Sequence, residues 1–231
     1  EVVSGGAGVP PALVERAARS GWLMRRSYGS SEHPTATSGT RSGPLVPRAR
    51  TDGAVCDGTE VRIVDGDGLD VETGGEGEIW LRGPEQFVGY TDPERNGEAF
   101  AAGGWFRTGD VGVFDPDGNL TITDRLKDII IRGGENLSSL EIEDLLQRHP
   151  AVAEAAAVGM PDPRYGERVC AFVILAPGAA APRIPDLIAH FAELGAAKQK
   201  TPERIVVVDE FPRTAAGKIK KNELRKQLVE D

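Results

Sequence analysis

Within five residues, Tyr28-Gly29-Ser30-Ser31-Glu32 offers a flat aromatic face, hydroxyls and one carboxylate, on an expected loop after the apolar residues 22–24. A glycine-serine loop beside an aromatic is most often a plain turn, and spacing alone leaves both readings open. Near the other end, Lys218 lies in Pro212-Arg213-Thr214-Ala215-Ala216-Gly217-Lys218-Ile219. A lysine there is either a solvated surface cation or a point charge that neutralises an anionic transition state, with Gly217 permitting close backbone approach. The bases that follow, Lys220, Lys221, Arg225 and Lys226, read as the exposed face of a terminal helix.

Two further groups look chemical and are set aside. Thr37-Ser38-Gly39-Thr40-Arg41-Ser42-Gly43 is similar to a phosphate loop, but no lysine follows, and Pro44-Leu45 opens no expected helix. It reads as a linker loop. His33 and His149, each next to a proline, have no metal-ligand partners at useful spacing and read as structural. Cys56 and Cys170 lie in no CxxC or Cys/His pattern, so reduced thiols and a cytoplasmic location are expected.

The elements that must position these residues follow from composition and periodicity. The 231 residues include 27 Lys and Arg against 36 Asp and Glu, a net charge of -9, and 39% are hydrophobic. That composition supports a buried core, and its acidic balance excludes a protein whose main task is to bind nucleic-acid phosphates. The most apolar stretch, residues 169–175, is far shorter than the roughly 20 residues of a membrane span. The sequence opens Glu-Val-Val with neither an initiating Met nor a basic segment ahead of an apolar one, so no signal peptide is expected in it, and the chain is expected to begin inside a longer protein.

Of 29 glycines, 24 precede residue 135, and all seven lysines sit at or after position 127. The net charge is -8 before that point and -1 after it. The break predicts two domains, 1–126 and 127–231. In the first, a strand at residues 1–4, a Gly-Gly-Ala turn and a helix over 11–20 are the end of an α/β sheet. Short apolar runs at 61–64, 78–81, 111–114 and 120–123, separated by turns at 65–68 and 115–118, predict a β-rich subdomain. In the second, strands at 128–132, 153–158, 169–175 and 205–208 and helices over 139–149 and 184–194, the first opened by a Ser138-x-x-Glu141 capping box, predict a small α+β domain.

Taken in order, these segments resemble the adenylate-forming enzyme superfamily of acyl-CoA synthetases, peptide-synthetase adenylation domains and luciferases. The matching pieces are Ser4-Gly5-Gly6-Ala7, residues 28–32, Gly77-Glu78-Ile79-Trp80-Leu81-Arg82-Gly83, Gly104-Trp105-Phe106-Arg107-Thr108-Gly109-Asp110, Asp124-Arg125-Leu126-Lys127-Asp128, Ile131-Arg132-Gly133-Gly134-Glu135-Asn136, and residues 212–218. Their run from Asp124 to Asn136 is most similar to the acyl-CoA synthetase branch.

The resemblance implies ATP, Mg²⁺ and CoA as co-substrates and metal, and a carboxylic acid activated as its acyl-adenylate before a thiol displaces AMP. By resemblance, Tyr28 stacks on adenine beside Gly5, Gly6 and Ala7, and Gly29 belongs to the same nucleotide loop. Ser31 contacts the α-phosphate and Glu32 holds Mg²⁺. Asp110 and Arg125 orient the ribose, and Lys218 bridges the attacking carboxylate and the nucleotide. Lys127 matches the hinge about which the C-terminal domain alternates between half-reactions. Gly133 and Gly134 either line the CoA approach or form a simple hairpin turn.

Ser31 stands where the family usually has Thr, and Gly8 where Pro often follows the turn; neither change removes a functional group. The family's upstream phosphate loop ending in Pro-Lys is not in the sequence, which looks like the C-terminal portion of such an enzyme. The expectation is therefore an AMP-forming ligase of fatty or alicyclic acids. Thirteen residues follow Lys218, which favours CoA over an appended carrier domain as acceptor. The alternative is a non-catalytic nucleotide-binding or interaction fragment.

Overall fold

Alternation decides the first sheet. In Met24-Arg25-Arg26-Ser27-Tyr28 every second residue is buried, as a strand with one covered face requires. The computed structural model describes residues 1–41, 43–215 and 217–228, which form two compact units, Glu1–Leu126 and Lys127–Asp231.

Unit 1 runs β1 (Val2–Ser4), α1 (Pro11–Arg19), β2 (Met24–Tyr28), β3 (Thr37–Ser38), α2 (Leu45–Arg50), β4 (Gly53–Val55), β5 (Glu60–Val64), β6 (Gly77–Arg82), α3 (Pro93–Ala99), β7 (Phe100–Ala101), β8 (Trp105–Phe114) and β9 (Asn119–Arg125). Among the described residues these strands make one sheet in the order β1-β2-β3-β4-β9-β8-β6-β5, with β7 beside β8. Only β1 and β2 pair in parallel, with Ser4 opposite Arg26. The α/β end and the β-rich part are thus one continuous sheet. Its core gathers Ile79, Leu81, Leu120, Phe106 and Tyr28. Each fully buried aliphatic side chain there contributes about 1.5–3 kcal/mol.

Two expectations fail in this unit. Residues 37–43 are not simply a linker loop: Thr37–Ser38 is a strand between β2 and β4, and Ser42 lies outside the described residues. A helix, α2, does follow Pro44, with Pro47 inside its first turn and Ala49 buried against Val9, Val14 and Met24. Six residues holding two bases carry little apolar periodicity, and packing rather than propensity makes them helical.

Unit 2 opens with a 3₁₀ turn, Leu126–Asp128 at the boundary, then β10 (Ile130–Arg132), β11 (Glu135–Leu137), α4 (Ser139–Gln147), β12 (Val152–Asp162), β13 (Gly166–Leu175), α5 (Ile184–Glu193), a second 3₁₀ turn (Lys198–Lys200), β14 (Arg204–Val207) and α6 (Lys221–Gln227). The strand expected over 128–132 begins only at Ile130, because residues 126–128 wind into the turn. The order is β11-β10-β13-β12, with β14 parallel to β13. Both faces of the β12–β13 hairpin are covered. Ala155, Ala157, Val169 and Ala171 face one core with Leu146, Leu187 and Phe191, while Ala156, Val158, Cys170 and Phe172 face another with Phe211 and Leu224. A strand buried on both faces reads as an unbroken apolar run, which is why residues 169–175 stood out.

At the start of α4 the Ser138 hydroxyl accepts from the Glu141 backbone N–H at 3.1 Å, and the Glu141 carboxylate receives Lys200 Nζ at 2.6 Å. No helix among the described residues is long and apolar enough to cross a membrane.

Candidate functional site

Because β1 and β2 are parallel neighbours, their C-terminal ends place the Gly5-Gly6-Ala7 turn next to the loop that follows Tyr28. The two approach closely: a Cβ on Gly5 would lie 2.5 Å from the Ser27 carbonyl oxygen. Loops leaving the carboxyl ends of parallel strands are the usual ligand position in open α/β sheets.

Tyr28 is the last residue of β2 and not, as expected, part of a loop. Its hydroxyl donates to Asp110 Oδ2 at 2.8 Å. Burial and the negative charge of Asp110 push the Tyr28 phenol well above its ordinary value, so it is a permanent donor. Asp110 lies in β8 directly opposite Arg125 in β9, and Arg125 Nε reaches Asp110 Oδ1 at 2.7 Å. Thr108, two residues earlier in the same strand, ties it to β6, its hydroxyl donating to the Ile79 carbonyl at 2.7 Å and accepting from the Asp110 N–H at 3.0 Å. Tyr28 and Asp110, separated by 82 positions, are thus bonded in the buried interior, and Arg125 extends the chain to the partly exposed surface.

After Tyr28 the chain folds back tightly. Gly29 is obligatory, since a Cβ there would lie 2.0 Å from the Pro34 carbonyl oxygen. Ser30 N–H donates to the His33 carbonyl at 2.9 Å, and its hydroxyl accepts from the N–H groups of Glu32 and His33 at 3.2 and 3.3 Å. Ser31 is left exposed and Glu32 half-buried.

Burial would raise the Glu32 carboxyl, but the Tyr90 hydroxyl, which donates to Oε1 at 2.9 Å, its own backbone N–H, Ser30 and the Arg125 charge together hold it below the usual carboxylate range. Glu32 is thus an anion at neutral pH. A single carboxylate suits magnesium, which takes one or two protein carboxylates and completes its shell with phosphates and water. The described residues hold no cluster of three or more His, Cys, Asp and Glu that could hold a metal ion.

In unit 2, Gly133 and Gly134 are the two central residues of the β10–β11 hairpin, with φ of 61° and 88° as a tight two-residue turn requires. The Gly133 N–H donates to the Tyr165 carbonyl at 2.7 Å. Lys218 closes a different loop. Thr214 N–H donates to its carbonyl at 2.8 Å, its own N–H donates to the Thr214 hydroxyl at 3.2 Å, and Arg213 bridges to Ile219. The backbone is stapled while the side chain stands exposed; Ala216 of this motif lies outside the described residues. Lys127 is exposed in the 3₁₀ turn at the unit boundary.

The bases after Lys218 are not all on an exposed face, as the sequence reading had them. Lys221 Nζ reaches Glu143 Oε1 and Ser139 Oγ, both at 2.7 Å, and Arg225 reaches Asp128 Oδ1 at 2.8 Å. Spaced four apart on α6, they point inward because Leu224 is buried between them. Also unforeseen is the buried pair of Arg26 with Asp52, bonded at 2.9 and 3.0 Å, whose carboxylate further accepts from the Ile122 N–H at 2.9 Å. His33 is fully buried, with burial lowering its pKa.

Two family models match the chain: that of the AMP-binding enzyme over residues 1–91 and that of the AMP-binding enzyme C-terminal domain over residues 141–218. A medium-chain fatty-acid–CoA ligase of Escherichia coli (strain K12) is 39% identical over 226 residues, 97% of this chain and 40% of that protein. The chain thus spans about two fifths of the length of the curated relatives it matches. Among solved structures, ATP-bound MatB from Rhodopseudomonas palustris superposes with a TM-score of 0.88 at 32% identity, covering 97% of this chain and 44% of that one. The amide bond synthetase McbA from Marinactinospora thermotolerans does so with a TM-score of 0.87 at 39% identity, covering 98% and 47%.

Proposed function

Since the chain belongs to the adenylate-forming AMP-binding enzymes and represents their C-terminal portion, we propose that its parent protein is an AMP-forming ligase joining a carboxylic acid to CoA through an acyl-adenylate. The carrying observation is the Tyr28–Asp110–Arg125 chain, set where two parallel strands deliver their glycine-bearing loops side by side.

In this reading Tyr28, Gly5, Gly6, Ala7 and Gly29 form the adenine wall. Asp110 accepts from the ribose hydroxyls, with Arg125 limiting its motion, and Ser31 offers its exposed hydroxyl to the α-phosphate. Glu32 is the residue that would hold magnesium, which when bound offsets the negative charge of the phosphates. Lys218 supplies a positive charge between two anions, the substrate carboxylate and the α-phosphate, and so lowers the barrier to their reaction. The carboxylate oxygen bonds to phosphorus as pyrophosphate leaves; the thiol then bonds to the acyl carbon as AMP leaves.

The two units, 1–126 and 127–231, are proposed to alternate about Lys127, with Lys218 serving adenylation and Gly133-Gly134 lining the thiol's approach afterwards. A fatty or alicyclic acid is the favoured substrate class, supported by the medium-chain fatty-acid–CoA ligase relative. A cytoplasmic location accords with two free cysteines.

The test is acid-dependent exchange of labelled pyrophosphate into ATP by the full-length protein, screened across straight-chain, alicyclic and aromatic acids, followed by CoA addition. Exchange with some acid and thioester release on CoA are expected. Nucleotide binding without exchange for any acid would instead favour a non-catalytic binding module.

A further inference from the structure

Glu32 is gripped from a segment that none of the chemistry-bearing motifs includes. The Phe87 N–H donates to the Glu32 carbonyl at 2.8 Å, and three residues on the Tyr90 hydroxyl donates to the Glu32 carboxylate at 2.9 Å. Backbone and side chain of one residue are therefore clamped by one short stretch lying 55 to 58 positions away.

That stretch is itself fixed. Asn96, in α3, accepts from the Tyr90 N–H at 2.7 Å and donates to the Tyr90 carbonyl at 3.1 Å. The ring is held by the Arg95 guanidinium 4.2 Å over one face and by Phe87 edge-on at 4.8 Å. The helix carrying Asn96 and Arg95 is set by Pro93 in its first turn and by the Asp92 cap, whose carboxylate accepts from the Glu94 N–H at 3.1 Å. A phenol held this firmly has little freedom, and neither has the carboxylate it donates to.

We propose that Tyr90 is a positioning residue for the magnesium-nucleotide: by engaging one oxygen of Glu32 it holds the carboxylate in a single orientation that keeps the remaining oxygen available to the cation, and Asn96 holds Tyr90 in turn. The proposal rests on the reading of Glu32 as the magnesium carboxylate. Outer-shell partners that orient a metal-binding carboxylate are worth about 10–100-fold in metal affinity.

The experiment titrates ATP into the full-length protein by calorimetry over a magnesium series, with no acid substrate, so that it reads binding and not turnover. Tyr90→Phe keeps the ring and loses only the hydroxyl. It is expected to raise the half-saturating magnesium concentration about tenfold while leaving ATP affinity at saturating magnesium near the parental value. Glu32→Gln is expected to raise it at least as far, and adding Tyr90→Phe to Glu32→Gln should change nothing more, because the partner through which Tyr90 acts is gone.

Parental magnesium dependence in Tyr90→Phe, with a shift in Glu32→Gln, overturns the role of Tyr90 and leaves that of Glu32 standing. No shift in Glu32→Gln overturns the Glu32 reading and the proposal with it. Should Tyr90→Phe fail to fold by circular dichroism, Asn96→Ala, which leaves the hydroxyl in place and frees the backbone that carries it, is read by the same criterion.

Discussion

Asp110 is 4% exposed, sits in the middle of a ten-residue strand and is bonded by Tyr28 and Arg125. Lys218 stands exposed on a loop closed by Thr214 and Arg213. The first arrangement is rigid before any ligand arrives, and suits a contact made equally in ground state and transition state. The second keeps a lysine hydrated and free to change rotamer, and suits a charge that engages only while an anion is being formed. The contact proposed for Asp110 is thus built into the sheet, and the charge proposed for Lys218 is built out on a loop.

The largest expected effect removes the exposed member. Lys218→Ala in the full-length protein should lower acid-dependent pyrophosphate exchange by about 10²–10³-fold or more, as loss of one transition-state donor does. Thioester formation from supplied acyl-adenylate should persist. Exchange at the parental rate would end the assignment.

Next comes the boundary between the units. Lys127→Pro fixes φ near -65° and biases Leu126 away from helical geometry, whereas the chain now winds through a 3₁₀ turn there. One half-reaction should fall by about 100-fold while the other survives, because misplaced groups cost about that much. Equal losses in both steps, measured separately, would make Lys127 merely structural.

Asp110→Ala probes the rigid member and should act on binding. A hydrogen bond to a charged group is worth about 1.5–3 kcal/mol, so the KM for ATP should rise about 10–100-fold in that range with kcat little changed. A fall in kcat at constant KM would contradict the contrast drawn between the two regions.

The smallest effect belongs to Tyr28→Phe, which keeps the ring and removes the donor to Asp110. The hydroxyl reaches ATP only through Asp110, which Arg125 still holds, so only part of the worth of that bond should appear, as a roughly two- to tenfold rise in the ATP KM. An unchanged KM would mean that Arg125 alone suffices to fix Asp110.

Periodicity and turn chemistry made much of the fold legible. The strand-turn-helix opening, the Asp115-Pro116-Asp117-Gly118 turn and the doubly buried run of β13 all carry local signals, and the structure has a strand, a turn or a helix where each was read. Short elements escaped because their cause is not local. The six residues of α2 become helical through Ala49 packing on Val14 and Met24, and the two residues of β3 become a strand only because β2 and β4 flank them. The ion-paired roles of Lys221 and Arg225 escaped for a related reason: a basic run looks solvated until its acidic partners, Glu143 and Asp128, are brought to it from 78 and 97 positions away.

What the sequence by itself determined is the order of the groups that could do chemistry, the aromatic-hydroxyl-carboxylate loop at 28–32 and the lysine at 218, and the charge and glycine break near 126, while the aspartate at 110 stood out only through the resemblance to adenylate-forming enzymes. Side-chain chemistry and turn preference are properties of one residue or a few neighbours, so they can be read along the chain. Which groups touch was decided only by the tertiary structure. The donation from Tyr28 to Asp110 spans 82 positions, that from Tyr90 to Glu32 spans 58, and the pairing of Arg26 with Asp52 spans 26. Tyr28 and Arg26 lie in β2 and Asp110 in β8, so their pairings depend on strand order and register, and a register slip of one residue would turn these three side chains to the opposite face of the sheet.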